Sequence, residues 1–300
     1  MIAINEGRTQ QYHSLFAPGI FTGRHVVITG GGSGIGRCTA HELASLGATV
    51  ALIGRKAEKL TATAAEIEAV GGTVAWWALD IRDEAAVTAA VGEIVARYGR
   101  IDGLVNNAGG QFASDLAKIS GKGFDAVVRS NLLGGFLMAR ECYNQSMRHH
   151  GGAIVNMAAD MWNGMPSMGH SGAARAGMIN LTETAAFEWA AANVRVNAVA
   201  PGVIASSGMD TYPPERREYI RSRGARVPLG RFGTEAEVSA GIVFLLSDAA
   251  RYITGTTLRI DGGTPTVRPS VLLPQREKGN VSPAFQGFHL AATPKVLEGL

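Results

Sequence analysis

An α/β fold built on a doubly wound parallel sheet follows from three observations on the 300-residue chain. Short apolar runs rich in Val, Ile and Ala alternate with longer stretches of helical periodicity. Most of these runs are apolar throughout, as expected when helices cover both faces of a parallel sheet. The first run ends at Thr29 in a cluster of glycines that opens directly into a helical stretch.

Taken in order, the strands are expected at 25–29, 49–53, 73–79, 103–106, 153–157, 195–200 and 257–260. Helices are expected between them, at 34–46, 57–70, 83–98, 122–148, 169–192 and 234–247, each crossover right-handed. Two segments break the alternation, an insertion at 203–231 and a segment at 264–300 carrying prolines and glycines up to Pro283. Residues 1–21 are read as an N-terminal arm, 22–263 as one domain and 264–300 as a C-terminal extension.

Composition narrows the function classes. Hydrophobic residues make up 46% and charged residues 18%, which suits a globular chain with a sizeable core. A net charge of +3 is too small to argue for nucleic acid or a membrane surface. Cys38 and Cys142 fall in expected helices and form no disulfide framework or metal spacing, so buried thiols in a reducing compartment are expected. His149-His150 closes a helix with no third ligand in view, and no metal is expected. The first residues lack the basic start and apolar stretch of a secretory signal. No apolar run is long enough to span a bilayer, and Glu298-Gly299-Leu300 is not a peroxisomal address, so a cytoplasmic protein is expected.

The glycine cluster carries the strongest chemistry. Residues 25–36 read HVVITGGGSGIG, a strand, a turn and a helix start. Gly30, Gly32, Gly34 and Gly36 let the backbone turn tightly and approach a pyrophosphate. Ser33, Ile35 and the helix N-terminus add free N–H groups and a partial positive charge. This is a Rossmann-type dinucleotide site, with a bare structural turn as the alternative. The end of the second strand selects the cofactor. A site for NAD usually places an acid there for the ribose 2′-hydroxyl, whereas this chain has Gly54-Arg55-Lys56. An acid would repel a 2′-phosphate and Arg55 can grip one bidentately, so NADP(H) is expected; the alternative is a solvated basic turn.

Further stretches complete a resemblance. Leu79-Asp80-Ile81 follows the third strand and Asn106-Asn107-Ala108-Gly109 the fourth. Asn131 lies in the long helix, Pro201-Gly202 follows the sixth strand and Asp261-Gly262-Gly263 the seventh. Together with TGGGSGIG, these motifs resemble the short-chain dehydrogenase/reductases from about residue 22 to 263. The resemblance implies that Asp80 and Ile81 hold the adenine edge, that Asn107, Ala108 and Gly109 line the adenine-ribose side, and that Pro201 and Gly202 border the nicotinamide. Asn107 bracing the central strand, and Asp261 closing a turn, are the structural alternatives. Tetramers are common in that family, so a homotetramer is expected.

The family works with Ser, Tyr and Lys, the last two spaced Tyr-x-x-x-Lys on one helical face. The matching helix here reads His170-Ser171-Gly172-Ala173-Ala174-Arg175. Arg175 stands at the Lys position, Ser171 at the Tyr position and Ala158 at the Ser position, so the standard acid is missing. Ketone reduction makes an alkoxide that needs a matched acid. Reduction of an α,β-unsaturated thioester instead gathers charge on an enolate oxygen and needs donors aimed there, with protonation of the α-carbon as a separate event. Ser171 and Asn131 are expected to form or order such an oxyanion hole, and Arg175 is expected to hold the nicotinamide ribose. Gly109-Gly110-Gln111-Phe112, HSGAARAG and Leu15-Phe16-Ala17-Pro18-Gly19 resemble the peroxisomal-type NADPH-dependent trans-2-enoyl-CoA reductases. The related dienoyl-CoA reductases also carry Ser at the Tyr position. Where those two groups place an acid Tyr, this chain has Ile179 and Asp160. The α-carbon proton is left to water, Asp160, His170 or Tyr212, and a structural role is the alternative for His170.

The insertion after the sixth strand is expected to form a substrate lid. It carries Arg216, Arg217, Arg221, Arg223, Arg226 and Arg231. Arginines suit the phosphates of coenzyme A, and a solvated amphipathic helix is the alternative. Three functions compete: an NADPH-dependent enoyl-CoA reductase, a ketoreductase or alcohol dehydrogenase with an unorthodox acid acting on 3-oxoacyl, terpenoid or aliphatic substrates, and a non-catalytic NADP(H)-binding sensor or scaffold.

Overall fold

The computed structural model describes residues 11–212, 214–267, 273 and 281–299. The strands are β1 (His25–Thr29), β2 (Thr49–Gly54), β3 (Thr73–Ala78), β4 (Gly103–Asn106), β5 (Gly152–Met157), β6 (Val194–Pro201), β7 (Ile204–Ala205), β8 (Gly233–Thr234) and β9 (Thr257–Ile260). The helices are α1 (Gly34–Ser45), α2 (Ala57–Ala69), α3 (Glu84–Tyr98), α4 (Gly121–Val128), α5 (Gly134–Cys142), α6 (Arg148–His150), α7 (Gly169–Glu188), α8 (Arg217–Arg223) and α9 (Glu235–Leu246). Seven strands form one parallel sheet in the order β3-β2-β1-β4-β5-β6-β9. The order reverses between β1 and β4, and the crevice at the carboxyl ends of those strands is where this architecture binds ligands.

Two apolar layers sandwich the sheet. Ile28, Leu52 and Val155 point to one face, where Leu43 of α1 and Ile242 of α9 cover them. Ile53, Leu104 and Ile154 point to the other, against Ile94 of α3 and Met138 of α5. Side chains such as Ile28 and Leu104 are completely buried, each contributing on the order of 1.5–3 kcal/mol of apolar transfer. Both cysteines are free, buried thiols, Cys142 in the second of these layers and Cys38 in a separate cluster with Tyr12, Ala236 and Phe288.

The helix ends are chemically marked. Asp83 caps α3 by accepting from Ala86 N at 3.1 Å, and Gly99 ends it in the left-handed region at φ +79°. Thr234 and Glu237 form a reciprocal capping box on α9. Of the expected helices, 122–148 is observed as one rod from Gly121 to His150 interrupted by two π turns, Arg129–Leu133 and Tyr143–Met147. The helix from 169 stops at Glu188, and a tight turn to Asn193 follows, at φ +57°. The insertion holds more order than its sequence suggests. It contains α8, and its ends are clipped together where Ile204 and Ala205 of β7 pair with Gly233 and Thr234 of β8.

Residues 281–299 are not a loose appendage. Arg221 Nε donates to Val296 O at 2.7 Å, and Asp210 accepts from Lys295 N at 3.2 Å and Val296 N at 3.0 Å. Arg231 donates to Ser282 O at 2.7 Å while also pairing with Glu237. Phe288 is buried against Tyr12 and lies under Arg37 of α1. Thus this segment touches the lid, the N-terminal arm and the phosphate-loop helix together.

Candidate active site

The glycine loop has the shape its chemistry requires. Gly30 is left-handed at φ +69°, and a Cβ on Gly36 would lie 2.4 Å from Gly30 O, so only glycine fits. The loop is fixed from below by Thr29, whose hydroxyl accepts from Asn107 N at 3.0 Å and Ala108 N at 2.9 Å and donates to Val105 O at 3.3 Å. Asn107 Nδ2 donates to Thr29 O at 3.0 Å, so its amide braces β1 to the β4 end. The bracing read from sequence as an alternative is the contact observed.

Beyond the loop lies a cleft walled by Ser33, Arg55, Lys56, Asp80, Ile81, Ala108 and Gly109, all expected from the sequence. Two further cations line it, Lys59 and Arg82. Lys59 was not legible because only the α2 turn brings it back over the cleft. Asp80 is the acid lining the cleft, and both its oxygens are held by Arg82, with Nε–Oδ1 at 2.9 Å and Nη2–Oδ2 at 2.5 Å. These hydrogen bonds draw the Asp80 carboxyl down to about 2. Asp80 is therefore paired, and the cleft carries an excess of positive charge. The tight glycine cradle fits the pyrophosphate of a nicotinamide dinucleotide.

At the other end, α7 places Ser171 and Arg175 one turn apart. The Ser171 side chain is fully buried, and its hydroxyl donates to Gln111 Oε1 at 2.6 Å. Gln111 Nε2 donates in turn to Tyr212 OH on the lid at 2.9 Å. Arg175 Nη1 donates to Met157 O at the β5 end. Burial pulls its guanidinium down to about 10, which still leaves it cationic at neutral pH. A Cβ on Gly109 would lie 2.3 Å from Asn131 Oδ1 and 2.7 Å from Arg175 Nη2, so these three residues pack as one unit.

Asn131 stands in the first π turn. Its Oδ1 accepts from Gly110 N at 3.0 Å and its Nδ2 donates to Gly110 O at 2.7 Å. The amide is thus engaged by backbone and orders the Gly109–Gly110 wall. His170 is buried with its ring edge-on to Phe112 at 4.4 Å, and Nδ1 accepts from Ser171 N at 2.9 Å. Its Nε2 is buried and has no hydrogen-bond partner among the described residues. Ala158 is buried beside Ile179, which packs there with Trp162, so neither position supplies an acid. Asp160 lies just beyond, its N–H donating to Pro201 O at 3.1 Å. Burial, reinforced by the negative charge of Asp261, raises the Asp160 carboxyl. Gly202 presses on Asp261, a Cβ there falling 2.7 Å from its Cα.

The lid arginines divide. Arg221 and Arg231 hold the 281–299 segment and so are not free for phosphates, contrary to the sequence expectation. Arg226 lies over the Tyr219 ring at 5.9 Å. Arg216 and Arg217 have no acidic partner within salt-bridge distance among the described residues and flank the entrance of α8. Among the described residues no cluster of His, Cys, Asp and Glu could hold a metal ion, and no helix is long and apolar enough to cross a membrane.

Residues 30–265 match the family described as enoyl-(acyl carrier protein) reductase. Among solved structures, one from Pseudomonas aeruginosa PAO1 described as a citronellol catabolism dehydrogenase (AtuB) is 59% identical, with a TM-score of 0.77. The match covers 85% of this chain and 100% of that one. A peroxisomal 2,4-dienoyl-CoA reductase of Danio rerio is 34% identical over 84% of this chain and 85% of its own length. A 3-oxoacyl-(acyl-carrier-protein) reductase of Thermotoga maritima is 38% identical over 80% and 97%.

Proposed function

Since this chain belongs to the short-chain dehydrogenase/reductase family, we propose that it is an NADP(H)-dependent oxidoreductase that reduces the double bond of a trans-2-enoyl-CoA. The observation that carries this reading is the pairing on α7 of a buried Ser171 hydroxyl with Arg175, beside an apolar Ala158. A serine hydroxyl is a good hydrogen-bond donor and a poor matched acid. The arrangement therefore suits an enolate oxygen, which needs donors, better than an alkoxide, which needs a proton. The bound nicotinamide would supply the hydride. Arg55, Lys56 and Lys59 would hold the 2′-phosphate, and Arg175 the nicotinamide ribose. The likeness to the Danio rerio reductase supports an acyl-CoA substrate, and a cytoplasmic homotetramer completes the proposal.

A second reading, oxidation or reduction of an acyclic terpenoid alcohol or aldehyde, is favoured by the Pseudomonas aeruginosa structure and its description. Cofactor absorbance separates the two. NADPH is mixed with medium-chain trans-2-enoyl-CoA, 3-oxoacyl-CoA or citronellal in parallel. Oxidation of NADPH by the enoyl thioester is the expected result. Turnover of carbonyls alone would establish the second reading, and tight NADPH binding without turnover would leave a sensor or scaffold.

A further inference from the structure

Ser171, Gln111 and Tyr212 form a hydrogen-bonded chain from the catalytic helix to the lid, and its direction is chemically informative. As it stands, the Ser171 proton goes to Gln111 Oε1 at 2.6 Å. In that state Ser171 offers only lone pairs to anything in the cleft, and a substrate oxygen would be repelled. For Ser171 to donate to a thioester oxygen, Gln111 must present its Nε2 to Ser171 Oγ instead. A side-chain amide can do this by a half-turn of its terminal torsion, since its two ends are alike in shape and opposite in polarity.

Reversal leaves Gln111 Oε1 facing Tyr212 OH, now 2.9 Å from Nε2. A phenol hydroxyl both donates and accepts, so it satisfies either end of the amide. Its own proton now points to Met168 Sδ at 3.9 Å, a weak acceptor that is cheaply given up. Both arrangements are therefore fully bonded, and only the second makes Ser171 a donor to substrate.

We propose that Gln111 is a reversible positioning residue whose amide sets the direction of the Ser171 hydroxyl, with Tyr212 on the lid easing the reversal. The idea rests on the enoyl thioester reading for its substrate. Its consequence is that Ser171 donates more readily with Tyr212 in place, which couples lid position to the charge-stabilising group. Tyr212 is thereby assigned a supporting task rather than that of the proton source. Of the titratable and charged side chains on these elements, His170 and Arg175 of α7 and Tyr212 lie beside the chain of bonds, while Glu183 and Glu188 lie further along α7 and Asp210 is held by Lys295 N and Val296 N.

Gln111→Glu is the sharpest probe. Its carboxylate can only accept, so at about pH 8 Ser171 is locked in the wrong direction, and a loss of about 100-fold in turnover is expected. Near pH 5 a protonated carboxyl can donate, and the variant should recover at least about tenfold relative to wild type. Gln111→Met, which can do neither, should keep the same reduced activity relative to wild type at every pH, and Tyr212→Phe should lose about tenfold in kcat with NADPH affinity unchanged. NADPH fluorescence checks that each variant is folded. The same pH comparison is made by calorimetry, titrating trans-2-decenoyl-CoA onto the protein–NADP+ complex, where no reduction occurs. Wild type that binds the thioester without reducing it would sink the function reading, and the binding arm would still judge Gln111. Wild type that reduces only carbonyls would do the same, with the pH series run on that carbonyl. A Gln111→Glu variant with no loss, or with a loss independent of pH, overturns the Gln111 role. Wild type that neither binds nor reduces any of these substrates overturns both.

Discussion

The two ends of the cleft are built on different principles. The cofactor end is backbone and charge: a glycine cradle that no Cβ could enter, braced by Thr29 and Asn107 and bordered by Arg55, Lys59 and Arg82. The catalytic end is a set of neutral hydrogen bonds between Ser171, Gln111 and Tyr212, contributed by three segments far apart in sequence. Rigid backbone and fixed charge make a ligand identity predictable. A polar chain whose members can each donate or accept leaves the reaction to be set by small rotations.

The comparison can be broken most severely at the catalytic end. Replacing Ser171 by Ala removes the donor, and kcat for the enoyl thioester should fall about 100-fold while the NADPH Kd stays unchanged. Undiminished turnover in a rate assay would show that the buried hydroxyl is only packing. The cofactor end should respond in the opposite sense. Arg55→Ala combined with Lys59→Ala is expected to weaken NADPH binding about 30-fold, measured by fluorescence titration, and to leave NADH almost unaffected. An equal loss for both cofactors would mean that these cations do not read the 2′-phosphate.

A smaller effect is expected at the lid. Arg216→Glu with Arg217→Glu should raise KM for an acyl-CoA about tenfold and hardly change KM for its short thioester analogue. Equal effects on both would remove these arginines from coenzyme recognition. The smallest effect concerns Glu235 in the first turn of α9. A Cβ on Gly34 would come within 3.8 Å of its Oε1, and burial raises its carboxyl to about 7. The folded protein then binds more protons here than the unfolded chain between the ordinary carboxyl value of 4.5 and about 7. Stability is therefore lost as pH rises through that window. Glu235→Gln should abolish this slope and gain about 2–4 °C in Tm near pH 8, read by calorimetry. Parallel melting curves for the two proteins at all pH values would contradict it.

Much of the frame was legible because it is written locally. Apolar runs such as 103–106 and the glycines at 30–36 need no distant partner to declare their role, and the seven strands lie within about two residues of their expected bounds. The lid was legible only as a gap. Its helix α8 and the β7–β8 clip depend on contacts with residues some 30 to 85 positions away, which no local period records. Arg82 escaped notice because its task is to neutralise Asp80, a side chain two residues earlier that had been assigned to the adenine. Asn131 was correctly placed in the long helix, yet the π turn that rotates it onto Gly110 has no sequence signature. Gln111 was noticed as part of a motif, and its bond to Tyr212 spans 101 positions of chain.

The clasp between residues 281–299 and the lid has a consequence for the order in which the molecule becomes competent. During synthesis the seven strands and the phosphate loop emerge before Lys295 and Val296, the residues that Asp210 captures. A nascent chain can thus complete its nucleotide crevice while the 203–231 insertion is held by its β7–β8 clip without the distal clasp. When the clasp forms, it divides one long loop into shorter ones, acting as a cross-link made of hydrogen bonds in place of a covalent tie. The segment that emerges last is therefore the one that fixes the insertion, through Asp210, Arg221 and Arg231.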